Sequence, residues 1–347
     1  MRKDINSIDS RKKIILKAVV YDYIKTAEPI GSRHLIDTYK LGVKSATVRN
    51  ELAELSELGL LYQPHTSAGR VPSDLGYRFY VDQLMEQSSV PSTQAVSVKT
   101  KLQELKTEMD IIISQTCRIL SELSKYASVA THPNISEAVI NHISISTLSP
   151  NKHLLVVVLD NGRVLHGILD INFSKLNLDN TKAANFLMSA LCGKGLEDLD
   201  SAVENIDESS SYLELLKDVI LYLKKESDVI KDFDIHTQGT SYIINQPEFK
   251  KDVQRLEKVL SVLEERAQIY KMLSSAYLDD DVTVIIGSEN PISQMSDCSF
   301  VATRYKVKGR SAGTIGVVGP KRMDYSRAVA SVEFMAGTLS MLLDDLI

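Results

Sequence analysis

The sequence predicts an α+β multidomain fold, and three observations carry that prediction. Residues 1–87 read as three helices separated by turn signals, then a short hairpin, then another helix, the order of a winged helix-turn-helix. Strand periodicity then occupies 139–170 and returns at 282–318. Between them lie about a hundred largely helical residues.

Apolar Ile15, Leu16, Val19, Tyr23 and Ile24 set a helix over 9–26, which Glu28-Pro29-Ile30-Gly31 ends. Ser32 caps a second helix running to Tyr39, and Gly42 marks the next turn. Ser45 caps a third helix, in which Val48, Leu52, Leu55 and Leu58 form one apolar stripe; Gly59 follows, where a helix C-terminus prefers glycine. Residues 60–63 read as a strand and 64–69 as a turn-rich tip. Arg70-Val71-Pro72 returns from it, and Ser73 caps a helix through Tyr77, Tyr80, Val81 and Leu84.

Residues 88–97, small and polar with Pro91, are the predicted linker. Val98, Leu102, Leu105, Met109, Ile112, Thr116, Ile119, Leu123 and Tyr126 then alternate steps of four and three. That seam suits either an intermolecular coiled coil or a long helix lying on its own sheet. Strands follow at 139–147, 154–159 and 164–170, the last two joined by Asn161-Gly162. Residues 175–232 read as mostly helical and acidic, 239–244 as a strand, and 247–266 and 267–277 as helices. Strands resume at 282–286, 300–306 and 314–318. A final helix opened by Asp324 sets Val329, Val332, Met335, Leu339, Leu342 and Leu346 on one face. The pattern fits one sheet domain interrupted by a helical insert, or two consecutive α+β domains.

Composition bounds the function. With 347 residues, 44% hydrophobic and 24% charged, the chain is globular in type and sized for two or three domains. No apolar run approaches the ~18 residues of a membrane span. The start carries no apolar signal core, and the three cysteines are too few and scattered for a disulfide framework; a cytoplasmic protein is expected. The net charge of −5 argues against nucleic acid, but it is unevenly spread. Residues 1–87 hold 13 Lys+Arg against 11 Asp+Glu, and the rest 27 against 34.

In a winged helix-turn-helix the third helix enters the major groove, and its early residues reach base edges. Ser45, Thr47, Arg49 and Asn50 lie off the apolar stripe and so face outward. Arg takes guanine bidentately, Asn takes adenine, and Thr offers a hydroxyl and a methyl. Ser32 and the free amides at its helix start suit a phosphate oxygen. The tip His65-Thr66-Ser67-Ala68-Gly69-Arg70 has small residues that permit close approach, and an arginine for a phosphate or a narrow minor groove. The plainer readings are that Ser45 is only a cap and Arg49 only a solvated charge beside a glutamate.

These residues resemble a known family. Gly31-Ser32-Arg33, Ser45-Ala46-Thr47-Val48-Arg49-Asn50-Glu51, the run from Gln63 to Ser73, and Gly76-Tyr77-Arg78-Phe79-Tyr80-Val81-Asp82 resemble the heat-inducible transcription repressor HrcA family. Asn245-Gln246-Pro247-Glu248-Phe249, Ile286-Gly287-Ser288-Glu289-Asn290 and the stretch from Gly319 to Tyr325 agree in the same order. The resemblance implies a homodimeric repressor of chaperone operons, with a winged helix, a GAF-like domain and an inserted dimerisation domain. It implies binding to an inverted-repeat operator, CIRCE, and maintenance in active form by the GroEL chaperonin. The implied DNA-binding residues are Ser32, Arg33, Ser45, Ala46, Thr47, Arg49, Asn50, His65, Thr66, Ser67, Arg70 and Ser73. The expected boundaries are 1–87 for the DNA-binding head, 88–97 for the linker, and 98–170 with 282–347 for the GAF-like domain. The dimerising insert is expected at 171–281.

Enzyme motifs are weak, and no cofactor or metal is expected. Gly309-Arg310-Ser311-Ala312-Gly313 matches a nucleophile elbow, but strand rather than helix is predicted after it. Cys192-Gly193-Lys194-Gly195 lacks P-loop spacing, and His142 and His153 lie in or beside strands without metal-ligand spacing. A rival reading is a winged-helix repressor whose sheet domain binds a small effector; another is a scaffold that binds protein only.

Overall fold

Helix α1 (Ser10–Thr26) is capped by Asp9, whose carboxylate accepts from the Lys12 amide, and ends at Ala27 in the left-handed region. In the computed structural model, residues 8–103, 108–133, 138–173, 179–196, 198–203, 211–231, 235–250, 252–274 and 281–346 are described. Leu105 of the predicted seam and 275–277 of a predicted helix lie outside them. Helix α2 (Ser32–Tyr39) starts after Gly31 and α3 (Ser45–Glu57) after Lys44. Ser32 and Ser45 are therefore first helical residues rather than caps. Their hydroxyls meet each other at 3.2 Å instead of turning back onto their own helices. Buried Ile15, Leu16, Val19, Leu35, Val48, Leu52 and Leu55 fill the space among the three helices. Gly59, at φ 77°, turns the chain into strand β1 (Leu61–Tyr62), which pairs antiparallel with β2 (Val71–Pro72). Helix α4 (Asp74–Phe79), capped by Ser73, continues as a wider π turn through Leu84.

The body begins at α5 (Ser92–Gln103), so helix takes over inside the predicted linker and only 85–91 connects the two parts. Helix α6 (Met109–Ser124) and strand β3 (Ala127–Thr131) follow. The chain then leaves the body for a lobe made of β4 (Ile140–Ser149), β5 (Lys152–Leu159), β6 (Val164–Asp170), α7 (Asn180–Leu191) and α8 (Ser211–Lys231). It re-enters with β7 (Ile235–Gln238) and four short helices: α9 (Thr240–Ile244), α10 (Pro247–Lys250), α11 (Val253–Glu264) and α12 (Arg266–Ser274). Strands β8 (Thr283–Ile286), β9 (Cys298–Val307) and β10 (Arg310–Pro320) and helix α13 (Tyr325–Leu346) complete it.

The body sheet is antiparallel throughout, in the order β7-β3-β10-β9-β8. Alternation along each strand divides two cores. Ala130, Val301, Ile315 and Val317 face Ile113, Cys117, Leu120, Val332 and Leu339 of α6 and α13. Ala127, Val129, Phe300, Ala302 and Val318 face Phe249, Val259, Val262 and Met272 from α10, α11 and α12. The described seam residues are thus packed inside the chain, against an intermolecular coiled coil, but on two helices rather than one long one, because Glu108 takes an extended conformation before α6.

Two boundaries differ from expectation. The strands at 140–170 form their own sheet, β4-β5-β6, with α7 and α8 packed on one face; they do not join those of 283–320. The excursion from the body therefore runs from the end of β3 to the start of β7, about residues 132–234, rather than 171–281. The helices at 240–274 belong to the body, covering its second face. The strand expected at 239–244 is β7 just before it, because Gly239 takes φ 71° and Thr240 already starts a helix.

Candidate nucleic-acid interface

What aims α3 is a charged brace at its buried side. Glu51, 5% exposed, accepts from Arg11 Nε at 2.8 Å. Lys12 reaches Glu51 at 3.3 Å and Glu54 at 3.0 Å. Two acidic residues of α3 are thereby neutralised by α1. Opposite them, Asp22 accepts from the Tyr39 hydroxyl and contacts His34 Nε2, both at 2.8 Å, tying α1 to α2. Burial and the Asp22 carboxylate push the Tyr39 hydroxyl well above its ordinary pKa, so it stays a donor. Neither bond is written into local periodicity.

With α3 held this way, Ser45, Ala46, Arg49 and Asn50 are exposed and Thr47 is half-buried. The Ser32–Ser45 contact puts the starts of α2 and α3 side by side, with Arg33 exposed next to it. Neither helix start has a side-chain cap. The leading amides of both, with their positive dipole ends, share one surface suited to a phosphate. Arg33, Lys40, Lys44 and Arg49 form no ion pair among the described residues. Elsewhere in the head, Arg11, Lys12, Lys17 and Arg78 are paired.

The hairpin tip presents His65, Thr66 and Ser67 to solvent. Gln63 closes it by donating to the carbonyls of Thr66 at 2.9 Å and Ala68 at 2.8 Å. Arg70 and Ser73 stand apart from this outward group. Arg70 pairs its backbone with Ile30 and donates Nε to Ser56 at 2.9 Å, anchoring the hairpin to the helices. Ser73 is the α4 cap and also donates to the Gly59 carbonyl. Lys40, Lys44 and Gln63 were not singled out from sequence. The lysines flank the α3 start and could have been found by charge and position; the role of Gln63 shows only in three dimensions.

Beyond the head, Ser311 lies on β10, which continues through a register shift at Ser311–Gly313 to Pro320, so no strand-turn-helix elbow forms. His153 is buried and stacked on Phe173 at 3.7 Å, while His142 is exposed. Among the described residues no cluster of His, Cys, Asp or Glu could hold a metal, and no helix is long and apolar enough to cross a membrane. A cleft of about 240 Å³ opens where the lobe meets the β9–β10 turn. Arg310 and Asp160, among its lining residues, face each other at 3.4 Å.

A family model for the HrcA protein C terminal domain matches residues 110–329. The heat-inducible transcription repressor HrcA of Symbiobacterium thermophilum is 37% identical over 335 residues, spanning 96% of this chain and 98% of its own. That of Desulfitobacterium hafniense is 37% identical over 345 residues, spanning 97% and 98%. The crystal structure of a hypothetical protein aligns over 99% of this chain and 100% of its own with a TM-score of 0.60; at 17% identity this is a likeness of fold. The chain belongs to the HrcA family of heat-inducible transcription repressors.

Proposed function

We propose that the head is a winged helix-turn-helix that reads an inverted-repeat operator of the CIRCE type, one half-site per protomer of a cytoplasmic homodimer. The observation that carries this reading is the start of α3: exposed, uncapped, bearing an Arg49 without an ion pair among the described residues and an exposed Asn50, on a helix braced from behind. The side chains reach base edges, the amides and Arg33 hold phosphates, and the tip at 65–67 follows the backbone. The body is GAF-like, with its five-stranded sheet covered on both faces. The lobe supplies the dimer contact. The outer face of its sheet carries half-buried Leu154, Val156 and Val158 beside Val164 and Ile168, 51% and 59% exposed, apolar side chains that join no core among the described residues.

Heat acts by weakening the dimer or the body's fold, and the GroEL chaperonin restores the competent form. Two heads acting together gain avidity that single heads lack. The test is a gel shift on an inverted repeat across temperature, with and without chaperonin, beside sedimentation. Operator binding lost on heating and recovered with chaperonin supports the reading; binding that never requires a dimer refutes it. The cleft between lobe and body favours a second reading, a small effector, which a melting-temperature shift with a metabolite panel would detect.

A further inference from the structure

Four stretches that carry the family resemblance play no part in the proposed DNA contact: 76–82, 245–249, 286–290 and 319–325. In the structure they converge on the joint between head and body. Arg78 of α4 grips Glu289 through both carboxylate oxygens and also donates to the Val284 carbonyl. Asp74, at the start of α4, meets Lys321 and the Ser288 amide, each at 2.9 Å. Gly287 sits at φ 52° beneath it, where a Cβ would come within 2.4 Å of the Asp74 carboxylate. Arg322 donates to the Ile24 carbonyl in the last turn of α1 at 2.7 Å, and Gln246 and Glu248 hold its guanidinium from the body side.

Apolar packing closes the joint as well. The buried Tyr77 ring lies 5.8 Å from that of Tyr325, and Ile15 and Leu16 share one continuous core with Met323, Tyr325 and Val332. The connector is pinned too: Ser88 donates to the Ser326 carbonyl, and Ser326 to that of Glu86. A flexible connector of seven residues would let a head wander about 15 Å. One base pair of added spacer displaces the far half-site by only ~3.4 Å, while turning it by roughly a tenth of a helical turn. Free heads would absorb such changes; heads bonded to the body would not.

We propose that this joint is a positioning device. Asp74, Arg78 and Arg322 fix the direction in which α3 leaves the body, so that the dimer accepts inverted repeats of one spacing. The proposal rests on the dimeric reading above. Its test uses full-length protein and a half-site sequence selected from random DNA. Fluorescence anisotropy compares a single half-site with inverted repeats whose spacer grows in single base-pair steps through about half a turn. The wild type is expected to lose about tenfold or more in affinity away from its best spacing.

The variants are Asp74→Asn with Glu289→Gln, which keeps shape, and Arg78→Ala with Arg322→Ala, which removes both guanidinium clamps. Expected is a profile flattened to within about threefold, with half-site affinity unchanged. Variants with normal half-site affinity that keep the wild-type profile overturn the proposal. So does tighter binding at every spacing, which would make the joint a restraint, and so does loss of half-site affinity in both variants. A wild type indifferent to spacing refutes the dimeric reading itself, a result distinct from any of these.

Discussion

Gly69→Ala tests how the hairpin is seated. A Cβ on Gly69 would lie 2.4 Å from both the carbonyl carbon and oxygen of Ile30 and 2.8 Å from its nitrogen, all backbone atoms. The next residue, Arg70, exchanges two hydrogen bonds with Ile30, at 2.9 and 2.8 Å. The hairpin therefore cannot admit a methyl group without backing away from the α1–α2 junction and giving up that pair. Overpacking costs about 1–3 kcal/mol and each lost hydrogen bond about 1, so the local penalty is about 3–5 kcal/mol. Hydrogen exchange on the full-length chain reads it directly. Protection of the Ile30 and Arg70 amides is expected to fall roughly a hundredfold to several thousandfold, while the body strands keep theirs. Operator affinity should fall with it, since the tip at 65–67 rides on this seat. If protection changes by less than about threefold, the hairpin is not anchored where we place it.

Three further expectations follow from individual residues. Arg33→Ala should weaken binding to all sequences alike and lower the salt slope by about 1, as a phosphate contact does; an unchanged slope removes Arg33 from the interface. Burial pushes the Cys117 thiol up to about 12 and Cys298 higher still, whereas Cys192 is half-buried and raised less. Mass spectrometry of the native protein with a thiol reagent should show Cys192 modified first; early labelling of Cys117 would mean that the α6–β3 packing is wrong. Burial alone would raise the Asp74 carboxyl, but Lys321 and the Ser288 amide outweigh it and hold the pKa below the usual 3.8. A depressed carboxylate stabilises above its unfolded value and loses that contribution as pH falls through the folded one. Near-UV circular dichroism of the Tyr77–Tyr325 region should thus decay below about pH 4 less steeply in Asp74→Asn than in wild type, and equal decay contradicts it.

The head was legible because its elements are local. The Ile15–Ile24 and Val48–Leu55 periods, Gly59 and the Ser73 cap each act within a few residues, and each element stands close to where its signal lies. The body was harder because its sheet joins strands distant in sequence. Strand β3, Ala-Ser-Val-Ala-Thr, is buried on both faces, so its small residues show neither alternation nor bulk. Strand β7 has only four residues, three of them polar, and pairs with β3 across the whole lobe. Without those two strands, the β4–β6 meander reads as part of the body. The residues of the proposed interface were visible as types. Their setting was not: Arg11 and Glu51 lie 40 positions apart, and Arg78 and Glu289 lie 211 apart.

The start of α3 is expected to read base sequence. The most direct test of this is the affinity of the full-length chain for its selected inverted repeat and for a scrambled duplex, at fixed salt, in wild type and Arg49→Ala. The wild type should prefer its operator by about a thousandfold or more. Arg49→Ala should lose about 1–3 kcal/mol of that preference at one base position per half-site, with little change on scrambled DNA. A wild type that binds both duplexes equally, or an Arg49→Ala protein with unaltered affinity and base preference, would contradict it.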